Sequence, residues 1–377
     1  MKCLASLTRK CGFATFLVPP RRAGGRSPAL GALCAQAIGA LAVGALAAGA
    51  TWVAPAAMAQ QGQVNVICSV QADWCNMIQT VFAMTTGIKV NMSLKGSGEA
   101  LAQLIAERAN PKTDVGFGGT GDPHLPAAER ELTLAYESAA LPQLHDWAQQ
   151  AEQSHYKTVG SYSGPLGFGD NTELLAKKEL AVPRSWSDLL KPENKGEIQV
   201  ANPASSGTAY TMIATLVQLM GEEKAFEYLK GLHKNVSTCT RSGTGPIKAL
   251  ARGETTVSIS FVHDGPGEKQ QGFAVETVTP SEGTGAAIGP ISLVKGVRNL
   301  ASARAFCEWA STAQAQQFGA AARQYQLPSN KRTPVDPNVR DFKNIKLIQY
   351  DPAKYGVSAE RWRLISRCEK EVNALPK

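Results

Sequence analysis

The sequence predicts an α/β protein of two lobes with a ligand cleft between them. Three observations carry this reading. Strand-like runs alternate with helix-like runs, and each strand is followed by a glycine-rich or hydroxyl-rich turn, the pattern of a parallel sheet wound with helices. Extended segments near 165–170 and 280–285 read as two crossings between the lobes, an arrangement that allows hinge closure on a ligand. The alternating run 257–262 ends in His263 and Asp264, followed by Gly-Pro-Gly. Open α/β sheets keep their ligand crevices at such strand ends. With the polar stretch 277–285, this run reads as the cleft floor.

The bulk properties fit. At 377 residues, 44% hydrophobic and 19% charged, the chain is long enough for two globular domains. The net charge of +8 is localised. Residues 1–59 hold Lys2, Arg9, Lys10, Arg21, Arg22 and Arg26 and no acid, which leaves 33 basic against 31 acidic residues. A basic excess confined to a leader argues against a nucleic-acid partner. The leader runs from this basic region through an Ala/Gly/Leu-rich stretch, 29–53, to Ala57-Met58-Ala59. That order is a secretory signal peptide, expected to be cut after Ala59. No later segment reaches the length of a bilayer span.

Cys3, Cys11 and Cys34 leave with the leader, and Cys68, Cys75, Cys239, Cys307 and Cys368 remain. In an oxidising compartment the spacing of Cys68 and Cys75 suits a local disulfide. Cys307 and Cys368, both in helix-like segments, are candidates for a second bridge that leaves Cys239 over, although sequence does not set connectivity. The chain has no Cys-x-x-Cys and no His-x-x-x-His, so no metal-cluster spacing appears. No cofactor is expected.

In chain order, 64–70 reads as a strand, 71–74 as a loop and 75–85 as a helix. A second strand covers 88–94, and Lys95-Gly96-Ser97-Gly98-Glu99 opens a helix over 100–108 with Ser97 as N-cap. A third strand, 113–117, ends in Gly118-Gly119-Thr120-Gly121-Asp122-Pro123-His124, and Pro126 begins the next helix. The segment 156–169, rich in Gly, Ser and aromatics and containing Pro165, reads as extended chain leaving the first lobe. The second lobe opens with strand 198–201, and 202–208 starts a long apolar helix to Met220. Helix 222–233, strand 236–239 and a helix ending at Arg252 follow. After the floor, 287–294 returns as a strand, 299–325 is largely helical, and 358–372 forms an amphipathic tail helix. The expected boundaries are 60–168 and 282–325 for the first lobe, and 169–281 and 326–377 for the second.

Three helix starts carry small hydroxyl-and-glycine turns: Ser97-Gly98, Ser205-Ser206-Gly207-Thr208 and Ser242-Gly243-Thr244. Each reads either as an ordinary N-cap or as an anion seat of free N–H groups at the positive end of a helix dipole. His263, Asp264 and Glu282 read either as surface polarity or as partners for a polyol, since carboxylates are acceptors. Trp74 either stacks on a ligand or packs in the core. Gly116 to Gly121 formally matches the dinucleotide fingerprint, but Asp122-Pro123 is expected to interrupt its helix. Neither His-Glu-x-x-His nor Gly-x-Ser-x-Gly occurs.

Several pieces resemble the periplasmic solute-binding proteins of ABC transporters, in the group of ferric-ion, hexose-phosphate and phosphonate binders. They are Ile67-Cys68-Ser69 with Asp73-Trp74-Cys75, the 118–124 turn with Thr120, Ala201-Asn202-Pro203 with Ser205 to Thr208, 280–285 and 347–352. The likeness implies a type II two-lobe fold with two crossover strands, a tail returning to the second lobe, a periplasmic location, and delivery of solute to a membrane permease. It adds Ser69 and Thr120 to the candidate ligand residues. Ferric binders of this group present two adjacent tyrosines, because Fe³⁺ favours phenolate oxygen. Here Val262-His263-Asp264 stands at that strand end, and no tyrosine adjoins another. The expectation is therefore a monomeric binding protein, not an enzyme, for a small anionic solute such as a hexose phosphate. Ser206, Gly207 and Thr208, with Ser242 and Gly243, would hold the anion, and His263, Asp264 and Glu282 the polar body. The alternatives are ferric-ion binding through His263 or Asp264, a secreted hydrolase, and a structural envelope protein.

Overall fold

The computed structural model describes residues 62–149 and 154–376. The expected signal segment, with Cys3, Cys11 and Cys34, lies outside them. Three β-strands open the chain, β1 (Gln63–Cys68), β2 (Lys89–Leu94) and β3 (Val115–Phe117), paired in parallel with β1 between the other two. Helices Ala72–Thr86 and Ser97–Ala106 make the returns. The next strands are β4 (Thr133–Leu134), β5 (Val159–Asn171), β6 (Ile198–Ala201), β7 (Val236–Thr240), β8 (Val257–Phe261), β9 (Val275–Val278), β10 (Ala286–Val294) and β11 (Leu327–Pro328). They form a sheet of order β2-β1-β3-β10-β5-β8-β6-β7, with β4 on β10 and with β9 and β11 on β5.

The long, fully buried β5 joins the lobes. Its residues 159–165 pair antiparallel with β10, and residues 166–170 pair with β8. Pro165 stands at the change of ladder, where a residue without an N–H interrupts the hydrogen bonding least. Leu166 N donates instead to Gly285 O at 2.9 Å, tying the two crossings together. Each lobe has its own core. In the first, Phe82, Phe117 and Phe306 pack edge to face. In the second, Trp186 and Phe226 share a core with Tyr210 of the apolar helix Gly207–Met220. That helix is buried nearly all round, which explains the absence of a polar stripe in its sequence.

The Cys68–Cys75 disulfide is present, with Cα atoms 6.2 Å apart. Cys307 and Cys368 do not pair, because Cys307 packs in the first core and Cys368 in the second, beside Cys239. The tail also departs from expectation. Leu327-Pro328 still pairs with β5 at Tyr162 and Ser163, and Lys331 N donates to Gln143 O, so the return to the second lobe lies beyond 331 rather than at 326. Three helix starts shift as well: Ser97 is the first residue of the helix Ser97–Ala106, and Gly96 takes the N-cap position expected of Ser97. Trp74 lies inside the helix Ala72–Thr86, and the helix Gly121–Glu129 begins before Asp122-Pro123 rather than at Pro126, since a proline in the first turn lacks only an N–H with no helical partner.

Candidate functional site

Between the lobes lies a cavity of about 350 Å³, within the range of small-molecule sites. The first lobe supplies three turns to it. The disulfide anchors Ser69 to Gln71 between the end of β1 and the helix Ala72–Thr86. Lys95 to Ser97 follow β2. Gly119 and Thr120 follow β3, with Gly118 and Gly119 at φ 75° and 85°, a conformation that favours glycine. Tyr162, on β5, locks the last turn: its hydroxyl accepts from Gly119 N at 2.7 Å and donates to Gly119 O at 3.0 Å. Ser97 Oγ accepts from Thr120 N at 3.2 Å.

The second lobe presents Ser206, Gly207 and Thr208 at the start of the apolar helix, and beside them Ser242, Gly243 and Thr244. Ser206 occupies the N-cap position, yet its hydroxyl makes no capping bond. It is 2% exposed and has no hydrogen-bond partner. Buried hydroxyls are ordinarily satisfied, so this one, with the N–H groups of the first helical turn, is a donor set addressed to the cavity. A Cβ on Gly243 would overlap Thr208 Oγ1 and come within 2.9 Å of Ser206 Oγ, so this position must be small. Lys95 and Lys248 add two cationic side chains to the lining.

His263 and Asp264 follow β8 in a 3-10 turn, at the expected strand end. The His263 ring stacks on Phe261 with centroids 5.2 Å apart and lies against Gly164 of the crossing strand. Burial pushes its pKa down to about 3, which keeps it neutral, and Nδ1 has no partner. Asp264 Oδ1 accepts from Gln71 Nε2 of the first lobe at 3.1 Å. Burial drives its carboxyl up to about 7 against the opposing pull of that bond and of Lys248. Gln324 and Gln326 complete the lining, each with an Oε1 that lacks a partner.

The lobes meet around this cavity. Gly98 N donates to Ser205 O at 3.1 Å, Glu99 pairs with the exposed Arg241, and a Cβ on Gly207 would overlap Thr120 Oγ1. Behind them Arg361 reaches Asp122.

Of the residues singled out in the sequence, Ser69, Ser97, Thr120, Ser206, Gly207, Thr208, Ser242, Gly243, His263 and Asp264 line the cavity. Three others stand elsewhere. Trp74 is 3% exposed and packs on Phe117 and Tyr162, so it supports Tyr162 from behind. Ser205 sits at the lobe contact, where its Oγ donates to Arg241 O at 2.8 Å. The Glu282 carboxylate accepts from Trp186 N at 3.0 Å and Ser187 N at 3.2 Å, and 277–285 packs on the second lobe and its tail instead of flooring the cleft. The sequence reading missed Lys95, Tyr162, Lys248, Gln324 and Gln326. Lys95 has a local signal, since it precedes the Gly-Ser-Gly helix start. The other four are brought to the cavity by tertiary packing.

Comparison with known proteins decides the family. The model described as bacterial extracellular solute-binding protein matches residues 110–354. The chain belongs to this family. Its solute-binding proteins serve ABC transporters as binders and not as enzymes. The chain is 40% identical to an uncharacterized Haemophilus influenzae protein over 315 residues, covering 83% of this chain and 91% of that one. Among solved structures it is similar to the periplasmic binding protein AfuA from Actinobacillus pleuropneumoniae with exogenous fructose-6-phosphate bound. That match has 41% identity and a TM-score of 0.82, over 84% of this chain and all of that one. It is also similar to the periplasmic binding protein P5PA, with 39% identity and a TM-score of 0.80, over 82% of this chain and 99% of that one. Among the described residues no helix is long and apolar enough to cross a membrane.

Proposed function

We propose that this solute-binding protein captures a phosphorylated sugar, a hexose phosphate in the first instance, in the periplasm and delivers it to an ABC permease. The observation that carries the reading is the buried, partnerless hydroxyl of Ser206 at an uncapped helix start. An anion there would meet the helix dipole, the first-turn N–H groups, the Ser206 and Thr208 hydroxyls, and the charges of Lys95 and Lys248. His263 Nδ1, Asp264 and the free amide oxygens of Gln324 and Gln326 would meet sugar hydroxyls, which both donate and accept. The likeness to a protein solved with fructose-6-phosphate supports the same class. The leader sequence supports export.

Ferric ion as cargo fits this donor set less well. Among the described residues Tyr162 is the one tyrosine lining the cavity, and its hydroxyl is committed to Gly119. Among the described residues no group of three His, Cys, Asp or Glu side chains is placed to hold a metal.

The test is thermal unfolding of the chain from Gln60 onward, stripped of ligand, with hexose phosphates, phosphonates, inorganic phosphate and ferric citrate. A ligand at a hundred times its Kd adds about 2.7 kcal/mol. Stabilisation by a sugar phosphate is expected. A rise with ferric citrate alone would sink the reading.

A further inference from the structure

Beside the first cavity lies a second chamber of about 260 Å³, and the two share Gln71, Lys248, Asp264 and Gln324. We infer that the ligand site continues past Asp264 into this chamber, which receives an ammonium group carried by the solute. The inference rests on the phosphate reading of the first cavity and extends it to the far end of the ligand.

Two carboxyls face the chamber from the turn after β8 and the helix that follows it. Asp264 is 3% exposed and Glu268 is 9% exposed. Asp264 accepts a hydrogen bond from Gln71 and lies 3.8 Å from a neutral His263. Among the described residues, no Lys or Arg nitrogen forms an ion pair within 4.0 Å of either carboxyl. The Gln324 amide oxygen, on a residue 6% exposed, is a third acceptor without a partner, and it lies between the two chambers. Exposed Asp73 adds a further carboxylate at the chamber wall.

Buried carboxyls call for a counter-charge with donors to spare. Three cationic side chains also face the chamber. Arg252 is paired with Glu254 at 2.6 Å. Lys248 borders the first chamber too, where a phosphate would take up its charge. Arg323, itself exposed, lines the chamber as well and makes no ion pair with either carboxyl. An ammonium group, with one positive charge and three N–H donors, matches Asp264, Glu268 and Gln324 together, whereas a hydroxyl offers one donor and no charge.

The experiment is calorimetric titration of the ligand-stripped protein with glucosamine 6-phosphate and, separately, glucose 6-phosphate, which differ by an amine in place of a hydroxyl. The amino compound is expected to bind about tenfold more tightly or better, the factor that about 1.4 kcal/mol supplies. Glu268→Gln is expected to bring that ratio close to one while leaving glucose 6-phosphate within about twofold of wild type, and a melting curve checks that the variant is folded. Equal binding of the two sugars by the wild type, which needs no variant, overturns this inference and leaves the phosphate reading standing. A ratio that persists in Glu268→Gln does the same. Failure of both sugar phosphates to bind overturns both.

Discussion

Arg361 Nε donates to Asp122 Oδ2 at 3.1 Å, across 239 positions of sequence, and both residues are more than nine-tenths buried. The bond joins the tail helix Ser358–Cys368, packed on the second core, to the first-lobe helix Gly121–Glu129. Arg361 also lies over the Tyr210 ring, 5.3 Å from its centroid, while Asp122 Oδ1 holds the hydroxyl of Thr120 at the cavity wall. The closed lobes are thus fastened directly beneath the candidate anion seat.

Removing the guanidinium strands a buried carboxylate, which costs about 3–5 kcal/mol where no other cation replaces it. Arg361→Met keeps the volume and loses the charge. It is expected to lower the free energy of unfolding in urea by about 3 kcal/mol, and Asp122→Asn in the same background should restore part of that loss. Equal stability of Arg361→Met and wild type would show that the lobes are not held at this point.

Gly207, in the second lobe, lies against Thr120 of the first. Gly207→Ala places a methyl group in that contact and favours the helix while the cleft is open. Ligand affinity is expected to fall at least about tenfold, or about 1.4 kcal/mol, and the melting temperature of the ligand-free protein to fall as well, because the methyl group also meets Asp122, the partner of Arg361. Calorimetry and thermal melting on the same sample separate the two effects.

Glu282 is expected to matter for folding and not for binding. Its carboxylate satisfies two backbone N–H groups at Trp186 and Ser187, and loss of charge-assisted bonds of this kind costs about 1.5–3 kcal/mol each at most. Glu282→Ala should unfold at lower denaturant and bind its solute with wild-type affinity. A selective loss of affinity would return Glu282 to the ligand.

Asp170, on β5 between β8 and β9, is fully buried, and neither carboxyl oxygen has a partner. Burial pushes its pKa up to about 7 from an ordinary 3.8. The folded protein therefore holds a proton that the unfolded chain has released. The stability this proton contributes is complete below about pH 4 and is lost as the pH rises through 7. Asp170→Asn is expected to match wild type near pH 4, to exceed it increasingly up to about pH 7 and to keep a constant margin above that. The gap should widen by up to about 1.4 kcal/mol per pH unit, as urea unfolding at several pH values would read.

Much of this was legible because local chemistry announced it. Strand and helix periods located the elements, and hydroxyl-glycine turns located the helix starts that line the cavity. The Cys68–Cys75 spacing located the bridge that holds the Ser69 to Gln71 turn. What escaped was whatever depends on the other side of a contact. Glu282 and Asp264 look alike in sequence, and only the neighbouring loop at Trp186 and Ser187 turns one into a structural cap. Trp74 is drawn into the core by Phe117 and Tyr162, which lie far along the chain. Gln324 and Gln326 reach the cavity because β11, just after them, pairs with β5.

The division of β5 between two ladders bears on how specificity can be re-engineered. No single cut separates the part that presents Thr120 from the part that presents Ser206, because each half of the cleft is assembled from stretches that alternate along the gene. Exchanging one half with a relative would need matched junctions near Pro165, near Gly285 and beyond Lys331. A recombinant made at one junction alone would inherit mismatched strands within a continuous sheet. New solute preferences in this scaffold should therefore be sought first by point changes in the turns, where the sheet is left intact.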